Sequence, residues 1–242
     1  MKPVFRLFAT TIMATAIISC KKNEFDTKPL GSLNVVNAVI GGGDVKLNAN
    51  YRDSAKNYNA KAFALNTGDR AIKLYSTSDS TKPYYLQNHQ IKTGGLYSIF
   101  LFGNSPSPET IFIEDVIPHY ADSVFGVRVI NLAFGGTPLN VTVASDPSTT
   151  ILQNIAYKDL TDFVAIPLLN TVPEESVTFE IRDAGTNDIL LTYSVPEFED
   201  FNYPGISIAK QRFKGITLVI TGIAGETDGP DAFGVYPAVI SY

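Results

Sequence analysis

Apolar residues return at every second position through most of this chain and never settle into the spacing of about 3.6 residues that marks an amphipathic helix. Val177-Thr178-Phe179-Glu180-Ile181-Arg182 sets Val177, Phe179 and Ile181 on one side and Thr178, Glu180 and Arg182 on the other, as a half-buried strand does. Val45-Lys46-Leu47-Asn48-Ala49 and Leu139-Asn140-Val141-Thr142-Val143 alternate in the same way, and residues 190–195 and 233–240 predict further strands. Between them lie turn formers, such as Asp183-Ala184-Gly185-Thr186-Asn187-Asp188 and Gly229-Pro230-Asp231, which predict hairpin connections. No helix cap followed by a long amphipathic run occurs, so the expected class is all-β.

The pattern is written twice. Leu33-Asn34-Val35-Val36-Asn37-Ala38 followed by Gly41-Gly42 returns 94 residues later as Val127-Arg128-Val129-Ile130-Asn131-Leu132 followed by Gly135-Gly136. Tyr97-Ser98-Ile99-Phe100-Leu101-Phe102-Gly103 matches Ile216-Thr217-Leu218-Val219-Ile220-Thr221-Gly222 after an insertion in the second copy. Segments repeated in one order predict duplication of a structural unit. Short strands at regular spacing with one face buried predict β-sandwiches, and each half is long enough to bury its own core. The boundary is expected near residues 120–124, where Pro118-His119-Tyr120-Ala121-Asp122-Ser123 interrupts the alternation; the break is short, so the modules should be closely coupled.

The first residues read differently. Lys2 and Arg6 precede an uncharged run over residues 7–18, which ends at Ile17-Ile18-Ser19-Cys20 with the chain's single cysteine. This is the grammar of a secretory leader, and the run is too short for the roughly 20 apolar residues of a spanning helix. The arrangement resembles a bacterial lipoprotein signal. That resemblance implies cleavage in front of Cys20 and lipidation of its thiol, with two or three acyl chains giving stable attachment. The expected organisation is therefore a signal peptide over 1–19, a polar tether over 20–30 after lipidated Cys20, a first sandwich over 31–122 and a second over 123–242.

Losing Lys2 and Arg6 takes the 19 basic residues to 17 against 24 acidic ones, a formal −7, which argues against nucleic acid and against an electrostatic hold on anionic lipid. With its only thiol used for lipid, the folded part has no disulfide to support it. Lys21-Lys22-Asn23-Glu24-Phe25-Asp26 has no Asp directly after the cysteine and resembles the surface-export signal of Bacteroidetes lipoproteins. The implied location is the outer membrane, with exposure at the cell surface as the further reading.

Val127-Arg128-Val129-Ile130-Asn131-Leu132, Asn154-Ile155-Ala156-Tyr157-Lys158-Asp159-Leu160-Thr161-Asp162-Phe163, Glu180-Ile181-Arg182-Asp183-Ala184-Gly185-Thr186 and Ile216-Thr217-Leu218-Val219-Ile220-Thr221-Gly222 together resemble the secreted bacterial family named domain of unknown function 4397. Its pattern runs through a "laYgevsdY" segment, an "eVR.AGT" hairpin and a "YTlvltG" strand. This chain departs from it at Ala133-Phe134-Gly135-Gly136-Thr137-Pro138, where a proline-rich stretch is usual, and at Ile166-Pro167-Leu168-Leu169-Asn170. The resemblance implies an immunoglobulin-like sandwich outside the cytoplasm and brings no catalytic residue with it.

Candidate chemistry is sparse. The histidines, His89 and His119, belong to no spaced ligand pair and are expected on the surface or in turns. Gly41-Gly42-Gly43-Asp44 lacks the lysine and hydroxyl of a phosphate loop and is expected to be a strand connection. Glu226, Asp228 and Asp231 could offer oxygens to calcium, although an acidic hairpin tip explains them without a metal. The acidic run Glu197-Phe198-Glu199-Asp200 is read as a solvated loop. Asn37 and Asn131 fall inside apolar strands, where an amide needs partners, and are expected to bridge to neighbouring loops.

Tyr51, Asn57, Tyr58, Asn59, Tyr84, Tyr85 and Asn88 are expected in loops of the first module; Tyr84 and Tyr85 are the candidate ligand contacts, by stacking on a glycan or a protein. Asp53-Ser54-Ala55, Asp79-Ser80-Thr81 and Asp122-Ser123-Val124 resemble O-glycosylation triplets of Bacteroidetes secreted proteins. The expectation for function is a non-catalytic envelope lipoprotein that binds or scaffolds, needs no cofactor, and has the membrane and an envelope protein or glycan as partners. A glycan-binding accessory protein of a nutrient-uptake system and an adhesin or pilus-type subunit are the alternatives.

Overall fold

A computed structural model describes residues 28–48, 52–120, 124–167, 177–195 and 214–240. The leader, Cys20, most of the tether, Tyr51 and the run Glu197-Phe198-Glu199-Asp200 lie outside the described residues. All regular structure among the described residues is strand, so no helix there is long and apolar enough to cross a membrane.

The first eight strands are β1 (Leu30–Ile40), β2 (Val45–Leu47), β3 (Ser54–Ala55), β4 (Asn59–Asn66), β5 (Gly68–Ser76), β6 (Tyr85–Ile91), β7 (Leu96–Asn104) and β8 (Glu109–Glu114). They form two sheets, ordered β4-β1-β7-β8 and β3-β2-β5-β6. The next eight are β9 (Val124–Asn131), β10 (Leu139–Val143), β11 (Asp146–Ile155), β12 (Val164–Pro167), β13 (Val177–Asp183), β14 (Ile189–Val195), β15 (Gly215–Thr221) and β16 (Gly234–Ile240). Their sheets, β12-β9-β15-β16 and β11-β10-β13-β14, repeat the first pair with every label advanced by eight. Even the parallel pairing of β1 with β7 returns as β9 with β15. The chain is thus two tandem immunoglobulin-like β-sandwiches built to one plan.

Each sandwich has its own core. Leu33, Val35, Ile72, Leu74, Ile99 and Leu101 fill the first; Val127, Val129, Val141, Phe179, Ile181 and Leu218 fill the second. The alternate residues of the same strands do not face water. Val36, Ala38, Phe100 and Phe102 meet Ile130, Leu132, Val219, Tyr236 and Ala238 in a third apolar layer between the sandwiches. The sheets that carry β1 and β9 are therefore covered on both faces. Strands in that position read as continuous apolar runs instead of alternating ones; every residue of β15 is buried.

Polar groups tie this seam at several points. Arg128 Nη2 lies 2.6 Å from Asp115 Oδ1, with side chains 6% and 0% exposed. Ser98 Oγ donates to Asp115 Oδ2 at 2.7 Å, Arg128 Nε donates to Thr217 Oγ1 at 2.9 Å, and the guanidinium lies 4.7 Å from the Phe163 ring centre. Elsewhere Tyr58 Oη and the Gly41 N–H both donate to Asp231 Oδ1, and Lys158 Nζ reaches Glu109 at 2.7 Å.

These contacts give the relative direction of the two units. Ser98 and Thr217, early in β7 and β15, meet around Arg128, whereas Gly41, just past β1, meets Asp231, which follows β15. Both sandwiches therefore point the same way, and Leu30, the first residue of β1, lies at the end opposite Gly41. Eleven residues in β1 at about 3.3 Å each separate those ends by roughly 35 Å.

Candidate functional site

A cavity of about 560 Å³ opens at the end of the second sandwich away from Leu30. Three connections frame it: the turn after β9, the β13–β14 hairpin and the loop between β15 and β16. Its walls include Ala133, Leu139, Leu190, Leu191, Ala224 and Phe233, with Glu226, Thr137, Thr227 and Asp183 as the polar side chains at the mouth.

Local chemistry shapes each connection. Gly135 adopts φ +77° in the turn after β9, as Gly41 adopts φ +61° after β1, so the paired glycines are repeated turn architecture. Asp183 caps its own hairpin: its Oδ1 accepts the N–H groups of Gly185 and Thr186 at 2.7 and 2.8 Å, while Oδ2 accepts the Thr137 hydroxyl. The Thr137 hydroxyl, and after it those two N–H groups, hold the Asp183 carboxyl below the usual carboxylate range. Gly222 has φ +86°, and a β-carbon there would stand 2.1 Å from the Ala232 carbonyl oxygen, so only glycine lets the chain leave β15 in this direction. The Phe134 N–H donates to the Gly222 oxygen at 2.9 Å and the Ala224 N–H to the Phe134 oxygen at 3.0 Å, which binds the two loops side by side.

The candidate calcium carboxylates diverge. Asp231 turns toward the first sandwich, where it accepts from Gly41 and Tyr58; Glu226 lines the cavity; Asp228 stands on the exposed tip beside Thr227. Among the described residues no group of three or more His, Cys, Asp or Glu comes together to hold a metal ion. Asp231 and its desolvated surroundings push the Tyr58 hydroxyl pKa well above its usual value, burial first and the carboxylate second.

Of the tyrosines expected in loops, Tyr84 lies in a bend before β6 but Tyr85 does not. Tyr85 opens β6 and is 6% exposed, its ring within the first core, and Tyr84 packs half-buried against the same cluster. The parity of β6 points the Tyr85 ring into the core, while Tyr84, in the bend just before β6, leaves part of its ring at the surface. His89, expected at the surface or in a turn, lies in β6 with its ring 3.8 Å from that of Phe112 and its Nε2 2.6 Å from Tyr85 Oη. Tyr157, just past β11, packs edge-on to Phe102 and Phe134.

The two buried asparagines do bridge. Asn37 Nδ2 donates to Gly43 O at 3.0 Å and Ala55 O at 3.4 Å, and Asn131 Nδ2 donates to Ile155 O at 3.0 Å. In both sandwiches the amide joins the first strand to an edge strand of the opposite sheet. The cavity itself was not read from the sequence. Its signals are scattered along the chain, as the Gly135-Gly136 turn, the Asp183 hairpin and the acidic loop at Glu226, with nothing local to show that they meet.

No family model matches the chain. No curated protein matches it either. Among solved structures it is similar to a "putative adhesin" from Bacteroides ovatus, at 10% identity over 89% of this chain and 94% of that one, with a TM-score of 0.27.

Proposed function

We propose that this chain is an outer-membrane lipoprotein, anchored through Cys20, whose paired sandwiches form a stiff, non-catalytic arm that presents the second-sandwich cavity to a partner in the envelope. The observation that carries the reading is placement. The tether enters at Leu30, while the cavity opens beyond the far ends of β9 and β15, so a lipid at Cys20 holds one end and leaves the other to meet a partner. The continuous apolar seam supports transmission of that placement, because relative motion of the sandwiches would expose Phe100, Phe102, Ile130 and Val219 to water. Asp183 is saturated by donors and His89 is stacked within the first sandwich, arrangements that suit shape and rigidity more than proton transfer.

Two measurements in cells test this together. Cys20→Ala should move the protein from the membrane to the soluble fraction. A photocrosslinking side chain at Glu226 should capture a neighbour, whereas the same group at Lys92, beside the tether end, should not. Membrane retention of Cys20→Ala, or equal capture from both positions, would overturn the reading.

A further inference from the structure

Among the described residues, six of the eight edge strands carry a device against added strands, and β6 and β14 carry none. Natural sheets blunt their edges with charges, prolines or very short strands. Here β4 has Lys61, β8 has Glu109 and Glu114, β11 has Asp146 and Pro147, β12 has Pro167, β16 has Pro237, and β3 is two residues long, whereas β6 has neither a charge nor a proline and exposes Leu86, Asn88 and Gln90, and only β14 runs into the cavity. β14 reads Ile189-Leu190-Leu191-Thr192-Tyr193-Ser194-Val195, with no charge and no proline. Ile189 and Leu190 are 49% and 41% exposed. Among the described residues its only ladder partner is β13.

The open edge runs directly into the cavity, since Leu190 and Leu191 are at once the start of β14 and part of the cavity wall. The lining contains two acidic residues, Asp183 and Glu226, and no Lys, Arg or His. Asp183 is consumed by its hairpin, which leaves Glu226 as the carboxylate at the mouth. Main-chain donors and acceptors along β14, an apolar recess at its beginning and one carboxylate beside the recess fit one class of ligand. Strand addition derives affinity from the ladder and selectivity from pockets for particular side chains.

We propose, on the reading above that this end of the arm is the recognition end, that β14 accepts an extended segment of another protein. The segment is uncharged along the strand, seats an apolar side chain in the cavity, and sets a lysine or arginine beside that anchor against Glu226. A glycan fits less well, because the walls are aliphatic and phenyl surfaces and the one amide at the site, Asn131, is engaged with Ile155 O and Ala133 N.

Phage-displayed random heptapeptides selected on the mature full-length chain provide the test. The expected winners alternate apolar and polar residues and place Lys or Arg next to an apolar anchor. A synthetic peptide of the winning sequence should bind Glu226→Gln and Leu190→Lys about tenfold more weakly than the unaltered chain. Both changes are at exposed positions, so both variants should keep the parent's melting temperature. Exchanging the peptide's Lys for Glu should restore binding to Glu226→Lys. No enrichment, enrichment of acidic sequences, or affinities within about twofold for both variants would overturn the proposal. Glycan-array binding that disappears in Glu226→Gln would overturn the peptide ligand yet leave the recognition arm standing, whereas absence of cellular crosslinks from Glu226 would remove both.

Discussion

His89 shows how strongly tertiary surroundings act on a single side chain. Its ring lies 3.8 Å from Phe112, and burial lowers its pKa from the ordinary 6.5. The unfolded chain then takes up the proton before the folded chain does. Stability is full above pH 6.5 and is lost as the pH falls through the lowered folded value. Denaturant melts between pH 7.5 and 5.5 should show this loss, and His89→Gln should flatten the profile. Asp146, Glu180 and Asp183, held below ordinary carboxylate values by hydroxyls, N–H groups and Arg182, change charge only in a more acidic window. Lys158 is a related case, with φ +75°; its ammonium lies 2.7 Å from Glu109 and 5.1 Å from the Tyr157 ring centre. Strain in that backbone is offset by contacts to both sandwiches. None of this was visible in the sequence, since a histidine between polar neighbours in Asn88-His89-Gln90 reads as surface.

The strands were legible wherever one face is wet. β13 alternates and was placed from alternation alone, and the duplication of Asn37 as Asn131 marked a shared structural duty. That duty is to fasten the first strand of each sandwich to the opposite sheet. Asn131→Ala should leave Ile155 O and Ala133 N unpaired in a dry interior and cost about 1–3 kcal/mol. The urea midpoint should fall at constant m-value. β7 and β15 were placed correctly as strands, but their unbroken apolar character carries a second message that period-two counting does not detect. Tyr97-Ser98-Ile99-Phe100-Leu101-Phe102 is buried on both sides because one face serves the sandwich and the other the seam.

Across the molecule the seam joins the two cores through Phe100, Ile130 and Val219, and the Asp115–Arg128 pair lies within it. A buried ion pair contributes little net stability over apolar replacements, but removing one member strands the other. Asp115→Ala should cost about 3–5 kcal/mol, and Asp115→Leu combined with Arg128→Met should recover most of that loss, both read from chemical denaturation. Such a recovery would show that the pair adds little net stability over an apolar contact at the seam. The pair was not foreseen because Arg128 lies in β9 and Asp115 beyond the end of β8, and a charge in an apolar strand does not name its counterion.

Alternation, turn residues and the internal repeat were enough to establish an all-β chain of two like units, because strand formation and turn chemistry depend on neighbours within a few positions. The expectation of a leader ending at Cys20 rests on equally local features, a short apolar run and the lone thiol. The covering of both faces of the central sheets, the diversion of Asp231 from a metal-like cluster to a clasp on Gly41, and the meeting of Gly135, Asp183, Leu190 and Glu226 around one cavity were decided only by packing. Those contacts join residues tens of positions apart, and the free energy that selects among them comes from apolar area buried between whole sheets, which no short stretch of sequence contains.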